Sequence, residues 1–151
     1  MVWGCMMWEG VGNLVRIGGK MDTDLYTQIM EEDLLSSLDW YDKSPREIIF
    51  QQDNDPKHKC LVHRGWYKDN GIEPPPWPAQ SADIAAIEHL WGHLKIRLKE
   101  YDHPPSGILE LWERVEKEWN KIQPEVVQNL IESMPRRVAA VVKAKGGYTK
   151  Y

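Results

Sequence analysis

The sequence predicts an α/β domain with an all-helical C-terminal part. Two short apolar segments separated by glycines open the chain, Val2-Trp3-Gly4-Cys5-Met6-Met7-Trp8 and Leu14-Val15-Arg16-Ile17. A β-branched and aromatic run, Ile48-Ile49-Phe50, lies a third of the way along. From Ile84 onward, apolar residues recur at steps of three and four. Hydrophobic residues in short runs bounded by turn formers favour strands, whereas the 3–4 spacing favours helices. Strands and helices mixed first and helices alone afterwards is an α/β order with a helical extension.

Each element has its own reason. Glu9-Gly10-Val11-Gly12-Asn13 supplies glycines for positive φ between the first two segments, which predicts a β-hairpin ended by Gly18-Gly19. Asp22 or Thr23 can cap a helix over about 23–35, with Leu25, Ile29, Met30 and Leu34 on its apolar side. Ser36 to Arg46 is polar and ends on a proline, hence a loop. Ile48-Ile49-Phe50 predicts a short buried strand, stopped at Asp55-Pro56 because proline has no N–H for a ladder. Cys60 to Asn70 predicts a helix with Leu61, Val62, Trp66 and Tyr67 inward and Asn70-Gly71 as its stop. Four prolines between Pro74 and Pro78 make that stretch extended. Asp83 is a candidate cap for a helix over 84–101, whose stripe is Ile84, Ile87, Trp91, Leu94 and Leu98. A helix over 107–121 carries Ile108, Trp112, Val115 and Trp119, with Ile122 beyond. Pro124 opens a last helical region bearing Val127, Leu130, Ile131 and Met134, interrupted at Pro135 and continued by Val138, Val141 and Val142.

A length of 151 residues fits one domain, and 42% hydrophobic with 28% charged residues is ordinary for a globular chain. No apolar run approaches the roughly 20 residues of a membrane span, and Met1 to Trp8 lacks the basic region of a signal peptide. Two cysteines, Cys5 and Cys60, make no disulfide framework, which points to a reducing compartment. The net charge of −4 conceals a gradient: residues 1–50 balance at −5, residues 51–134 at −4, and residues 135–151 at +5. An acidic chain is a poor generic nucleic-acid binder, while the basic end could meet phosphates or remain solvated.

The chemistry-bearing stretch is Phe50-Gln51-Gln52-Asp53-Asn54-Asp55-Pro56-Lys57-His58. Polar side chains at the carboxyl end of a buried strand lie where open α/β sheets hold ligands. A second carboxylate, Glu88, follows on the 84–101 helix. Taking Ile84 as 0° and about 100° per residue, the stripe spans about 280–360° and Glu88 falls near 40°, on its shoulder. An aspartate at a strand end and a glutamate on a helix shoulder together suit a hard divalent cation, since Mg²⁺ takes oxygen ligands and needs only one or two carboxylates besides substrate phosphate. Taken singly, the first group reads as a solvated turn and Glu88 as a helix-border residue in water.

The wording of several segments is specific. Phe50 to His58, Trp77-Pro78-Ala79-Gln80-Ser81, Ile87-Glu88-His89-Leu90-Trp91, Ser133-Met134-Pro135-Arg136-Arg137 and Lys143-Ala144-Lys145-Gly146-Gly147 closely resemble Tc1/mariner transposases of the Tc1-like branch. The likeness runs from Val2-Trp3-Gly4-Cys5 to the end of the chain. Thirty-four residues, 54 to 87, separate Asp53 from Glu88, which matches the family's interval between its second and third catalytic acids.

The resemblance implies an RNase H-like fold and a DDE triad with two Mg²⁺ or Mn²⁺ ions, which cleaves DNA and transfers strands by two-metal phosphoryl transfer. It implies Asp53 and Glu88 as catalytic, metal-holding acids, Asn54 and His58 as residues orienting Asp53, and Lys57, Arg136 and Arg137 as DNA contacts. It implies transposon ends and target DNA as partners and the nucleus as compartment, involves no membrane, and leaves a homodimer open. The family's first catalytic aspartate lies on the opening strand, upstream of the motif resembling Val2-Trp3-Gly4-Cys5. The expectation is therefore one partial catalytic domain over 1–151, N-terminally truncated, with the first strand and the DNA-binding helix-turn-helix missing. Asp22, Asp24, Asp33, Asp39 and Asp42 all fall in the first helix or its following loop and do not fit that acid. Ser81-Ala82-Asp83-Ile84-Ala85-Ala86 also departs from the family's proline-containing lead-in to the glutamate, and Pro74-Pro75-Pro76 replaces strand-compatible residues.

Three function classes follow. The first is a transposase catalytic domain, expected to show little strand transfer with two acids. The second is a non-enzymatic, transposase-derived DNA- or protein-binding protein. The third, a zinc module on His58, Cys60 and His63, has too tight a spacing and no evident fourth ligand.

Overall fold

The computed structural model of the chain describes residues 1–53, 61–78, 81, 84–147 and 149. Residue contacts divide the chain into two compact units, Met1–Cys5 with Gly12–Ser81, and Met6–Val11 with Ala82–Tyr151.

β1 (Val2–Met7) and β2 (Gly10–Arg16) pair as a two-stranded sheet. The hairpin is tighter than the five-residue connection expected, because Gly10 takes φ 149° directly after the Trp8-Glu9 turn. Gly12 therefore lies inside β2, where a Cβ would stand 2.5 Å from Cys5 Sγ and 2.7 Å from Ser37 Oγ. The Asn13 N–H donates to Ser37 Oγ at 2.8 Å, which ties the strand to the helix below. Burial pushes the Cys5 thiol up to about 11, so it is an inert core group at neutral pH.

Asp22 caps α1 (Thr23–Ile29) by accepting from the Leu25 N–H at 2.9 Å. The helix does not end near residue 35. It passes through a π-helical segment, Met30–Leu34, into α2 (Leu35–Trp40), so the expected loop over Ser36 to Trp40 is helical. The Leu35 N–H bonds to the Met30 carbonyl five residues back. The buried residues Tyr26, Met30, Leu34 and Leu38 recur every four positions. That spacing drifts about 40° per step around an α-helix, and the wider turn absorbs the drift. Tyr26, and not Leu25, occupies the inward position of the first turn.

α3 (Leu61–Asn70) packs against α1 and ends at Gly71, whose φ of 70° suits a residue without Cβ. Residues 72–78 are irregular and contain no strand, as four prolines require.

In the second unit, α4 (Ala86–Lys99) packs on α5 (Ile108–Trp119) and α6 (Pro124–Glu132), and α6 on α7 (Met134–Lys143). Its core includes Leu90, Leu94, Val115, Trp119 and Val127. α5 does not bury Ile108, which is 64% exposed; instead Arg114 and Glu118 join Val115 and Trp119 inside. The Arg114 guanidinium donates to the His103 carbonyl at 2.7 Å, bonds Glu110 and lies 4.4 Å from the Tyr101 ring centroid, so the α4–α5 connection is fastened by one cation. Pro135 lies in the first turn of α7 and starts that helix, where its missing N–H is harmless.

Glu110 accepts from the Ser106 hydroxyl at 2.6 Å and the Ser106 N–H at 2.7 Å. These bonds, and then the Arg114 guanidinium, hold its carboxyl well below its ordinary 4.5, at about 2. A carboxyl depressed in the folded state stabilises above pH 4.5, and that stability is lost as pH falls toward 2. Melting curves across this window should therefore fall more steeply with acid in the native chain than in Glu110→Gln. Parallel slopes would refute the assignment.

Candidate active site

The segment leading to Asp53 leaves a 3-10 turn, Pro45–Glu47, closed by a capping box in which Ser44 and Glu47 bond each other's backbone. Ile48 is extended, with φ −104° and ψ 151°, yet Ile48-Ile49-Phe50 forms no strand and Ile49 is 84% exposed. The buried strand expected here is thus corrected. A strand needs a ladder partner, and no described residue supplies one beside this segment.

Side chains fix the segment instead. Gln52 Oε1 accepts from the Tyr26 hydroxyl at 2.5 Å and from the Tyr67 hydroxyl at 3.0 Å, one tyrosine on α1 and one on α3. The Phe50 ring lies 5.9 Å from the Tyr67 ring, centroid to centroid. Under the tyrosines, His63 is fully buried, edge-on to Tyr26 at 4.8 Å. Its Nε2 contacts Thr27 Oγ1 at 2.9 Å and the Thr23 carbonyl at 3.2 Å. A carbonyl only accepts, so the ring proton sits on Nε2. His63 is therefore engaged as a hydrogen-bond donor within the α1–α3 layer, while His58 and Cys60, the other residues of the zinc reading, lie outside the described residues.

This framework holds Asp53, an exposed residue one step beyond Gln52. Asn54, Lys57 and His58 lie outside the described residues, as does Cys60. Glu88 sits in the first turn of α4, exposed, where the helix dipole favours a carboxylate. Its surroundings differ from the expected shoulder position. The most buried residues of α4 are Ala86, Leu90 and Leu94, at about 200–280° on the scale that puts Ile84 at 0°, so Glu88 near 40° points well away from the core. Asp83, the expected cap, is outside the described residues; Ala85 stands at the cap position without a side-chain bond. Asp53 belongs to the first unit and Glu88 to the second. Among the described residues no group of three or more His, Cys, Asp or Glu is placed to hold a metal.

On α7, Arg136 is exposed and Arg137 only 2% so. Arg137 Nε donates to Ser133 Oγ at 2.7 Å, and Ser133 Oγ to the Leu130 carbonyl at 2.6 Å. The adjacent arginines thus have different surroundings, one in solvent and one in the α6–α7 joint. Sequence reasoning missed the Gln52–Tyr26–Tyr67 cluster. The signal available was Gln52 itself, a polar residue directly before Asp53 in an otherwise apolar lead-in.

The fold is RNase H-like. It is similar to the crystal structure of the catalytic domain of Mos1 mariner transposase, with a TM-score of 0.84 and 22% identity over 99% of this chain and 75% of that one. It is likewise similar to the Mos1 strand transfer complex, with a TM-score of 0.82 and 21% identity over 99% of this chain and 43% of that one. In sequence the chain is 41% identical over 152 residues to the transposable element Tcb1 transposase of Caenorhabditis briggsae, and 40% identical to the Tc1 transposase of Caenorhabditis elegans. Each match covers all of this chain and 54% of the relative, so the chain spans about half the length of the curated relatives it matches. No protein-family model matches it. Over its whole length the chain is thus similar in sequence to part of the Tc1 and Tcb1 transposases, and in fold to a mariner transposase domain.

Proposed function

We propose that this chain supplies Asp53 and Glu88 as the second and third acids of a DDE site that cleaves DNA and joins strands. The observation that carries the reading is the 41% identity to a transposase over the whole of this chain, together with the 34-residue interval between the two acids. Both carboxylates are exposed, and both are hard oxygen donors, the ligand type that Mg²⁺ and Mn²⁺ require. Similar solved structures are the Mos1 catalytic domain with Mg and with Mn, which supports the same metals here. When bound, such ions activate an attacking oxygen and stabilise a leaving one at phosphorus. The chain's own contribution is to aim the acids: Gln52, gripped by two tyrosines, fixes the backbone at Asp53, and the start of α4 presents Glu88. In this reading Asn54 and His58 orient Asp53, Lys57 and Arg136 contact DNA phosphates, and the buried Arg137 braces the helix that carries Arg136. DNA as partner, supported by the similar Mos1 strand transfer and paired-end complexes, makes the nucleus the place of action.

A metal titration followed by thermal melting tests this. At tenfold over its Kd, Mn²⁺ should stabilise the chain by about 1.4 kcal/mol, a rise of roughly 3–6 °C. Asp53→Ala and Glu88→Ala should each remove the rise. Because the Glu88 side chain is exposed, Glu88→Ala should melt like the native chain without metal. A rise that survives in both variants would sink the reading.

A further inference from the structure

A groove of about 290 Å³ lies in the first unit, lined by Arg64, Lys68, Tyr67, Ile72 and Pro74 among others. Its floor is apolar: Tyr67 and Ile72 are 5% and 2% exposed. Arg64 and Lys68 stand on the exposed face of α3 one turn apart, where Cβ atoms are separated by about 6 Å. A third cation joins them. Arg46 crosses against Gly71, its Cγ and Nε 2.7 and 2.8 Å from where a Cβ would stand, an approach that only glycine at φ 70° permits. No side-chain hydrogen bond or ion pair engages Arg46, Arg64 or Lys68 among the described residues. Glu73 is the lining carboxylate against two lining cations, Arg64 and Lys68, with Arg46 set against the lining Gly71.

A second groove, of about 330 Å³, makes the contrast. There Arg97 is paired with Glu100 at 2.6 Å and Lys121 with Glu118 at 2.8 Å, so those cations are internally neutralised. Cations without an ion-pair partner beside an apolar bed leave a local positive potential that attracts an anion.

We propose that the Arg46–Arg64–Lys68 groove is a phosphodiester-binding surface that seats a DNA strand beside the catalytic segment. The claim rests on the transposase reading for the choice of DNA over an acidic protein. Arg64 and Lys68 can each reach a different phosphate of one strand, while Tyr67, Ile72 and Pro74 provide an apolar bed for sugar and base. The groove begins on α3, the helix whose Tyr67 also grips Gln52, so DNA bound there is held by the element that positions Asp53.

Fluorescence anisotropy with a short labelled duplex of mixed sequence, in EDTA and over a range of salt, tests the surface. Arg64→Glu with Lys68→Glu should weaken binding by at least about tenfold and lower the salt slope by about two. The charge-matched pair Lys95→Glu with Lys99→Glu, exposed on α4, should leave the slope within about one of the native value. Equal losses in both pairs, an unchanged groove variant, or a native chain that does not bind the duplex would each overturn the proposal. So would polyglutamate that binds the native chain as tightly as the duplex and is lost in the groove variant, since the partner would then be an acidic protein. The anisotropy is read in EDTA and the metal titration without DNA, so failure of the metal site and failure of this groove are read separately.

Discussion

Trp119→Ala is expected to destabilise the chain by about 3–5 kcal/mol, the range for removing a large buried aromatic. Trp119 is 1% exposed and stacks on Trp91 at 5.1 Å between centroids with planes 23° apart, joining α5 to α4. The loss has two parts: the transfer free energy of the indole, and a cavity that rigid helices cannot collapse to fill. An offset stack adds about 0.5–1.5 kcal/mol beyond burial. In a chain of this size the melting temperature should fall by about 6 °C or more. Trp119→Phe should recover most of the loss, and a Trp119→Ala variant that melts within about 2 °C of the native chain would show that α4 and α5 are held by other contacts.

Gln52→Leu is expected to have the second largest effect, and on two readouts. Replacing the amide removes the acceptor on which the Tyr26 and Tyr67 hydroxyls converge, both residues being buried. Loss of a buried hydrogen-bonding partner costs about 1–3 kcal/mol. The functional consequence concerns the next residue, because without this clamp the backbone at Asp53 has neither a ladder nor a side-chain tether at position 52. The midpoint of the Mn²⁺ titration should therefore move up by about tenfold, while Tyr67→Phe, which leaves the 2.5 Å bond from Tyr26, should move it less. A Gln52→Leu chain that loses stability but keeps its native midpoint would make the cluster purely structural.

Periodicity and turn chemistry made much of the chain legible. The hairpin, the Asp22 cap, the stop at Gly71 and the helices from α4 to α7 follow from local preference: glycine where φ is positive, a side-chain oxygen at an orphan N–H, apolar residues every three or four positions. The proposed acid pair rests on letters alone, since the interval from Asp53 to Glu88 needs no coordinates. Other features depended on partners distant in sequence. Ile48-Ile49-Phe50 has strand composition, but composition cannot supply the neighbouring strand a ladder requires, and the segment is held by Gln52 instead. The continuation of the first helix through a π turn to Trp40 was hidden because Ser36 and Ser37 read as loop formers. In the folded chain Ser37 satisfies its hydroxyl on the Asp33 carbonyl and accepts from Asn13 in β2.

The amino-acid order by itself determined the resemblance to transposases, the interval between Asp53 and Glu88 and the helical succession, because these depend on residue identity and spacing along the chain. Tertiary structure alone decided which face each helix turns inward. It buries Leu90 in place of Glu88's expected neighbours, sets Arg137 apart from Arg136, and gathers Tyr26, Gln52 and Tyr67 beside Asp53. The physical reason is that burial and hydrogen bonding are satisfied between elements, and a linear pattern records only what each element offers, not which partner takes it up.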